Sequence, residues 1–228
     1  MNTDLRLYRL DLDYVKYLHS IDNKVMYSAT HKDVYNANRP YVGVVLNING
    51  FDYFAPLESP KPNHARLRQQ EHIIFMNKGK SGIIGLNNMV PVVPDLLIDI
   101  DIEKDRYPDK LRTQLFYIRN NKKQILHNAK SCYLKRTINP NRFVRSVFCN
   151  FKRLELAALD YCISKNIPIP NNLLENKIKE LGNDIQHGRS NDTESYNRLL
   201  AAKHNLQKCN MTKDIQPRTR GEDHINRG

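Results

Sequence analysis

The chain has 228 residues, 40% of them hydrophobic, which suffices for one sizeable domain with an appendage and excludes a wholly disordered protein. Its 36 Lys and Arg against 24 Asp and Glu leave a formal charge of +12, so the expected partner is a polyanion, nucleic acid first among them. Four cysteines, Cys132, Cys149, Cys162 and Cys209, show no metal-ligand spacing and are too few for a disulfide framework, and neither an apolar leader nor a membrane-length apolar run is present, so a cytoplasmic protein is expected.

In chain order, Leu5 to Leu10 alternates as a strand does, and Tyr14, Tyr17, Leu18 and Ile21 recur at helical spacing. Residues 22–38 read mostly as loop. Tyr41 to Ile48 and Phe51 to Ala55 are β-branched and aromatic, and Asn49-Gly50 between them predicts a two-residue hairpin turn. Pro56 to His64 follows as a loop, with Pro56, Pro60 and Pro62 removing ladder donors. A basic segment leads into the apolar Ile73 to Met76, and Asn77 to Gly82 is a turn. Further strand pieces run through Ile83 to Leu86 and Met89 to Val93, with Pro91 implying an edge or a bulge.

Leu97 to Asp101 reads as another strand, and Asp109 as the cap of one helix carrying Leu111, Leu115, Ile118, Ile125 and Leu126. A helix over about 150–164 ends before Ile167-Pro168-Ile169-Pro170. Two amphipathic helices over 172–186 and 193–208 follow, then a polar, basic tail. The domain expectation is therefore a first domain at 1–165 and a helical, partly mobile extension at 166–228. The charge belongs mainly to the first part, where residues 1–163 hold 25 basic and 16 acidic side chains.

The loop after the hairpin brings together Glu58, Ser59, Lys61 and His64, a carboxylate, a hydroxyl, an ammonium and an imidazole. Such a loop could bind and cleave a phosphodiester; were the polyanion RNA, its own 2′-OH would be the nucleophile, leaving the protein to supply proton carriers and donors or cations for the crowded phosphate of the transition state. Lys61 suits the non-bridging oxygens or the leaving 5′-oxygen, and Ser59 suits a hydrogen bond to phosphate. Glu58 and His64 are the candidate proton carriers. Asp99, Asp101 and Glu103 alternate with Ile98, Ile100 and Ile102, a pattern that strand periodicity explains better than a metal site. Neither a metal nor a cofactor is expected.

Several blocks in shared order resemble the ToxN/AbiQ family of type III toxin–antitoxin and phage-abortive endoribonucleases. They are Tyr14 to Leu18 followed by Asp22 to Val25, Arg39 to Val44, Ala55 to Lys61, Gly85 to Pro91, Gln114 to Arg119 and Cys149 to Glu155. The resemblance covers about residues 5–163. It implies an α+β fold, a strongly twisted antiparallel sheet flanked by helices and similar to MazF/Kid toxins, here followed by a C-terminal helical extension. It also implies metal-independent cleavage of single-stranded cellular or phage RNA. The implied antitoxin is a small pseudoknot RNA, cut by the toxin from its own repeat precursor and held in a closed, cyclic protein–RNA hetero-oligomer.

By the same resemblance Arg39 is a phosphate-site cation beside Ser59 and Lys61, while Glu58 stands where the family often has Ser or Thr. Tyr41 either stacks on a base or packs in the core. Arg66, Arg68, Lys78, Lys80, Arg112, Arg119, Lys122 and Lys123 together make a candidate RNA groove. A noncatalytic RNA-binding regulator would use the same basic face.

Overall fold

The computed structural model describes residues 5–30, 33–59, 61–62 and 70–213, with side chains to residue 206. Seven strands form one sheet in the order β4-β5-β3-β2-β1-β7, with β6 also on β3, and every pairing is antiparallel. The strands are β1 (Arg6–Leu10), β2 (Tyr41–Ile48), β3 (Phe51–Glu58), β4 (Ile73–Phe75), β5 (Ile83–Gly85), β6 (Val90–Val92) and β7 (Leu97–Asp99). The protein is thus of the α+β class. Asn49 at φ +53 and Gly50 at φ +89 make the hairpin turn that Asn-Gly favours, because both central residues need positive φ. Pro91 lies on β6, which pairs with β3 alone, so its missing donor falls on an outer edge.

β3 is the central strand, and Tyr53, Phe54, Ala55 and Leu57 are all buried because both faces are covered. Tyr53 points toward the helices, where Glu155 accepts from the Tyr53 hydroxyl at 2.8 Å and from the Tyr133 hydroxyl at 2.7 Å. Glu155 belongs to α6 (Phe151–Lys165) and Tyr133 to α4 (Lys122–Thr137), so one buried carboxylate ties two helices to the sheet. On the opposite face, Phe54 meets Tyr8 edge-on at 5.5 Å. A Cβ on Gly43 would stand 2.1 Å from the Phe54 ring, so only glycine fits there. Between Val42 and Leu46 the β2–β3 register shifts, as four steps on β2 pass two on β3.

α1 (Leu12–Ile21) is capped by Asp11, whose side chain accepts from the Tyr14 amide at 2.8 Å. Its far end is bound to α6 through Asp22, which accepts from the Asn150 amide at 2.6 Å and from the Lys24 amide and ammonium. Burial works against the Asp22 carboxylate, but these donors outweigh it and hold its pKa below the ordinary value.

Residues 22–38 are mostly loop, as expected, around one short helix, α2 (Asp33–Ala37). Four other expectations need correction. The single helix from Asp109 to Leu126 is two: α3 (Pro108–Asn120) and α4 meet at Asn121, whose φ −110 and ψ 17 leave the helical region. Tyr107, not Asp109, holds the cap position of α3, because Pro108 occupies the first turn. β3 continues through Pro56, Leu57 and Glu58, so the loop starts at Ser59. The fourth is Ile98, 49% exposed on the edge strand β7, where apolar-in alternation fails.

α5 (Arg142–Val147) precedes α6, and α7 (Asn171–Gln186) and α8 (Thr193–Lys213) follow it. The chain divides into two compact units that part between Leu173 and Leu174, within α7 and beyond the Pro168–Pro170 break. In the second unit a Cβ on Gly182 would lie 3.1 Å from the Tyr196 ring, so α7 and α8 approach closely there, and Lys203 pairs with Glu175 at 2.9 Å. Among the described residues no helix is long and apolar enough to cross a membrane.

Candidate active site

The end of β3 presents the site. Leu57 and Glu58 pair with Ile84 and Ile83 of β5, and on the other side the Leu57 amide donates to the Pro40 carbonyl at 2.9 Å. Glu58 is therefore backbone-locked between two neighbours, and Ser59 is the first exposed residue past the ladder. The Lys61 ammonium donates to Glu58 Oε2 at 2.6 Å, an i,i+3 pair in which the Lys61 side chain is 51% exposed and that of Glu58 only 16%. Glu58 thus orients Lys61 while leaving about half of its side chain exposed.

α3 supplies the other wall. Lys110 Nζ donates to Ser59 Oγ at 2.8 Å, across 51 positions of sequence. Burial draws the Lys110 ammonium below its usual pKa, against which the Asp105 carboxylate pushes it up. One turn along, the buried Gln114 donates to the Ser81 carbonyl at 2.8 Å, joining α3 to the turn between β4 and β5. Asp105 accepts from the Tyr107 amide at 2.9 Å and from the Arg9 guanidinium of β1, so the entry to α3 is anchored on the sheet.

Of the residues expected at the site, the fold joins Glu58, Ser59 and Lys61. Arg39 reaches the same strand end, since Pro40 is the backbone partner of Leu57, but it is only 9% exposed, with its guanidinium 5.6 Å from the Tyr35 ring and its buried Nε unpartnered. So enclosed, it offers little surface for a bidentate phosphate clamp. Tyr41 is 2% exposed and packs in the core, which corrects its reading as a base-stacking residue. Burial raises its hydroxyl pKa to about 12 against the opposing charge of Arg39. His64, Arg66 and Arg68 lie outside the described residues.

Lys78 and Lys80 are exposed on the β4–β5 turn, and Arg119 and Lys123 are exposed along α3 and the start of α4. Lys122 is half-buried beside them. Arg112 is held by Glu103 at 2.5 Å and 3.0 Å and by Asp109 at 2.5 Å, so its charge is offset locally and it is a weaker candidate for RNA. Lys110 and Gln114 were not expected. Lys110 reads as an ordinary helix lysine, and nothing in its neighbourhood points to a partner so distant in sequence. Among the described residues no cluster of His, Cys, Asp and Glu could hold a metal. Cys132, Cys149 and Cys162 are buried, and burial pushes their thiols above the usual range, Cys132 to about 12 and Cys162 to about 11.

Comparison with known proteins sets this geometry in a family. The model for the toxin ToxN of type III toxin–antitoxin systems matches residues 6–159. The chain belongs to the ToxN toxin family. Endoribonuclease ToxN of Bacillus thuringiensis subsp. kurstaki is 26% identical over 166 residues, 68% of this chain and 84% of the relative. Endoribonuclease ToxN of Pectobacterium atrosepticum is 28% identical over 69% and 94%. Among solved structures, AbiQ, a lactococcal anti-phage endoribonuclease of a type III toxin–antitoxin system, is similar with TM-score 0.60 and 27% identity. A type III toxin selectively inhibited by a non-coding RNA pseudoknot is similar with TM-score 0.58 and 26% identity. Each structure is matched over 98% of its length by 70% of this chain, so the remainder of the chain adds to what those ToxN-family structures contain.

Proposed function

We propose that this chain is the endoribonuclease toxin of a type III toxin–antitoxin system, that it cleaves single-stranded RNA at the end of β3, and that a small repeat-derived pseudoknot RNA restrains it. The observation that carries the site is the exposed Ser59 hydroxyl, which accepts from Lys110 of α3 at 2.8 Å at the strand end where Lys61 pairs with Glu58 at 2.6 Å. In this reading a 2′-OH attacks the adjacent phosphorus in line, losing its proton to a neighbouring base, and the 5′-oxygen departs with a proton. A 2′,3′-cyclic phosphate and a 5′-hydroxyl result. Ser59 donates to a non-bridging oxygen and Lys61 offsets the charge that builds there, terms worth about 10²–10³ in rate for each donor in sites of this kind. Glu58 holds Lys61 in place, and His64 is the remaining candidate proton carrier.

The RNA runs over Lys78, Lys80, Arg119 and Lys123, and the excess positive charge draws both substrate and antitoxin. The family match and the similarity to AbiQ support an anti-phage role, the similarity to a type III toxin inhibited by a non-coding RNA pseudoknot supports an RNA antitoxin, and a closed protein–RNA complex is part of the same proposal. The test is cleavage of a labelled single-stranded RNA by protein freed of its antitoxin, with the ends of the products identified chemically. Ser59→Ala and Lys61→Met should lose most cleavage while keeping most RNA affinity, because each removes one contact among many. Full cleavage by both variants would move the site elsewhere, and RNA binding without any cleavage by the unaltered chain would make it an RNA-binding regulator.

A further inference from the structure

We propose that Lys110 is a positioning residue for cleavage, fixing the polarity of the Ser59 hydroxyl so that its proton points to the scissile phosphate; this rests on the assignment of Ser59 and Lys61 to the site. A lysine ammonium has three donors and no acceptor. In the 2.8 Å contact Lys110 therefore donates and Ser59 Oγ accepts. With a lone pair so engaged, the Ser59 O–H is left as a donor, the polarity that a phosphate oxygen requires. The accepted bond also polarises the hydroxyl and strengthens the one it donates.

Lys61 cannot do the same work, since its strong contact is with the Glu58 carboxylate. Lys110 is aimed at a neutral oxygen, and the charged group that acts on it is Asp105, just before α3, while Lys61 and Glu58 pair with each other. The support behind it is rigid. Gln114 fastens α3 to Ser81, Ser81 adjoins Gly82 and β5, and β5 pairs with Leu57 and Glu58 immediately before Ser59. Helix and loop are thus registered through the same ladder, which sets the Lys110–Ser59 distance.

The experiment is a double-mutant cycle on the full-length protein freed of RNA, read as single-turnover cleavage together with RNA affinity. Lys110→Met should lower the cleavage rate about 10–100-fold with little change in affinity. Lys110→Arg, also a pure donor, should restore most of the rate, and Lys110→Ala with an unchanged thermal midpoint serves if the Met variant folds poorly. In the Ser59→Ala background, Lys110→Met should cost little more, because its effect passes through the missing hydroxyl. Independent, multiplying losses would make Lys110 a separate phosphate contact and overturn the proposal. Full cleavage by Lys110→Met beside inactive Ser59→Ala and Lys61→Met would also overturn it while sparing the site. Full cleavage by Ser59→Ala and Lys61→Met together would instead remove the site itself.

Discussion

Gly82 is where stability and activity should fail together. It sits at φ +102, and a Cβ there would stand 2.1 Å from the Glu58 carbonyl oxygen and 3.3 Å from the carbonyl carbon. Both are backbone atoms, so no side chain can swing aside. Relief in Gly82→Ala requires β3 and β5 to part by roughly 1 Å, the shortfall from a normal contact. The unfavourable φ costs about 1–3 kcal/mol and the overpacking about as much again. At roughly 2–4 °C per kcal/mol for a unit of this size, the thermal midpoint should drop by about 4–24 °C. Glu58 and Ser59 move with the strand, and a displacement near 1 Å at a reacting site is worth about 10²-fold in rate. Circular-dichroism melting gives the first quantity and single-turnover cleavage, well below both midpoints, the second. Gly188→Ala is the control: its φ is +66 but nothing lies within 4 Å, so only backbone strain is added and cleavage should be kept. A Gly82→Ala protein with an unshifted midpoint and an undiminished rate would refute the placement of Gly82 against Glu58.

Four further outcomes are expected. Cleavage should persist in excess EDTA, since the substrate brings its own nucleophile; dependence on added Mg²⁺ or Mn²⁺ would exclude the proposed chemistry. Tyr41→Leu should lower the thermal midpoint but leave RNA affinity within about twofold, because a ring in the core touches no base; a large loss of affinity in the folded variant would restore it as a stacking residue. Asp22 has a lowered folded pKa, so its stabilisation is complete above about pH 4, the unfolded value, and is lost as pH falls through the folded one. The midpoint difference between the unaltered protein and Asp22→Asn should accordingly shrink below that pH, and a constant gap would deny the linkage. A chain ending at Pro170 should retain cleavage but melt earlier, since Leu173, buried beside the Gly50 turn, is lost; a folded but inactive truncation would place the extension in the active site.

Local chemistry alone determined the hairpin, because Asn49-Gly50 is cheap at positive φ and the flanking residues are β-branched or aromatic. It likewise determined the edge position of Pro91, the helical period of α1 and the family blocks around Ser59 and Lys61. The α3–α4 junction was not legible, since no Gly or Pro marks Asn121 and the apolar period runs across it. The fate of Tyr41 was only partly legible: a tyrosine opening a strand leans toward the core over a base, and the helices and strands packed around it decide. Pro56 reads locally as the end of a strand, yet β3 runs on to Glu58 because its partners continue alongside. Lys110 shows the limit most clearly, because its meaning lies in Ser59, 51 residues away, and only the docking of α3 on the β4–β5 turn brings the two within hydrogen-bond reach.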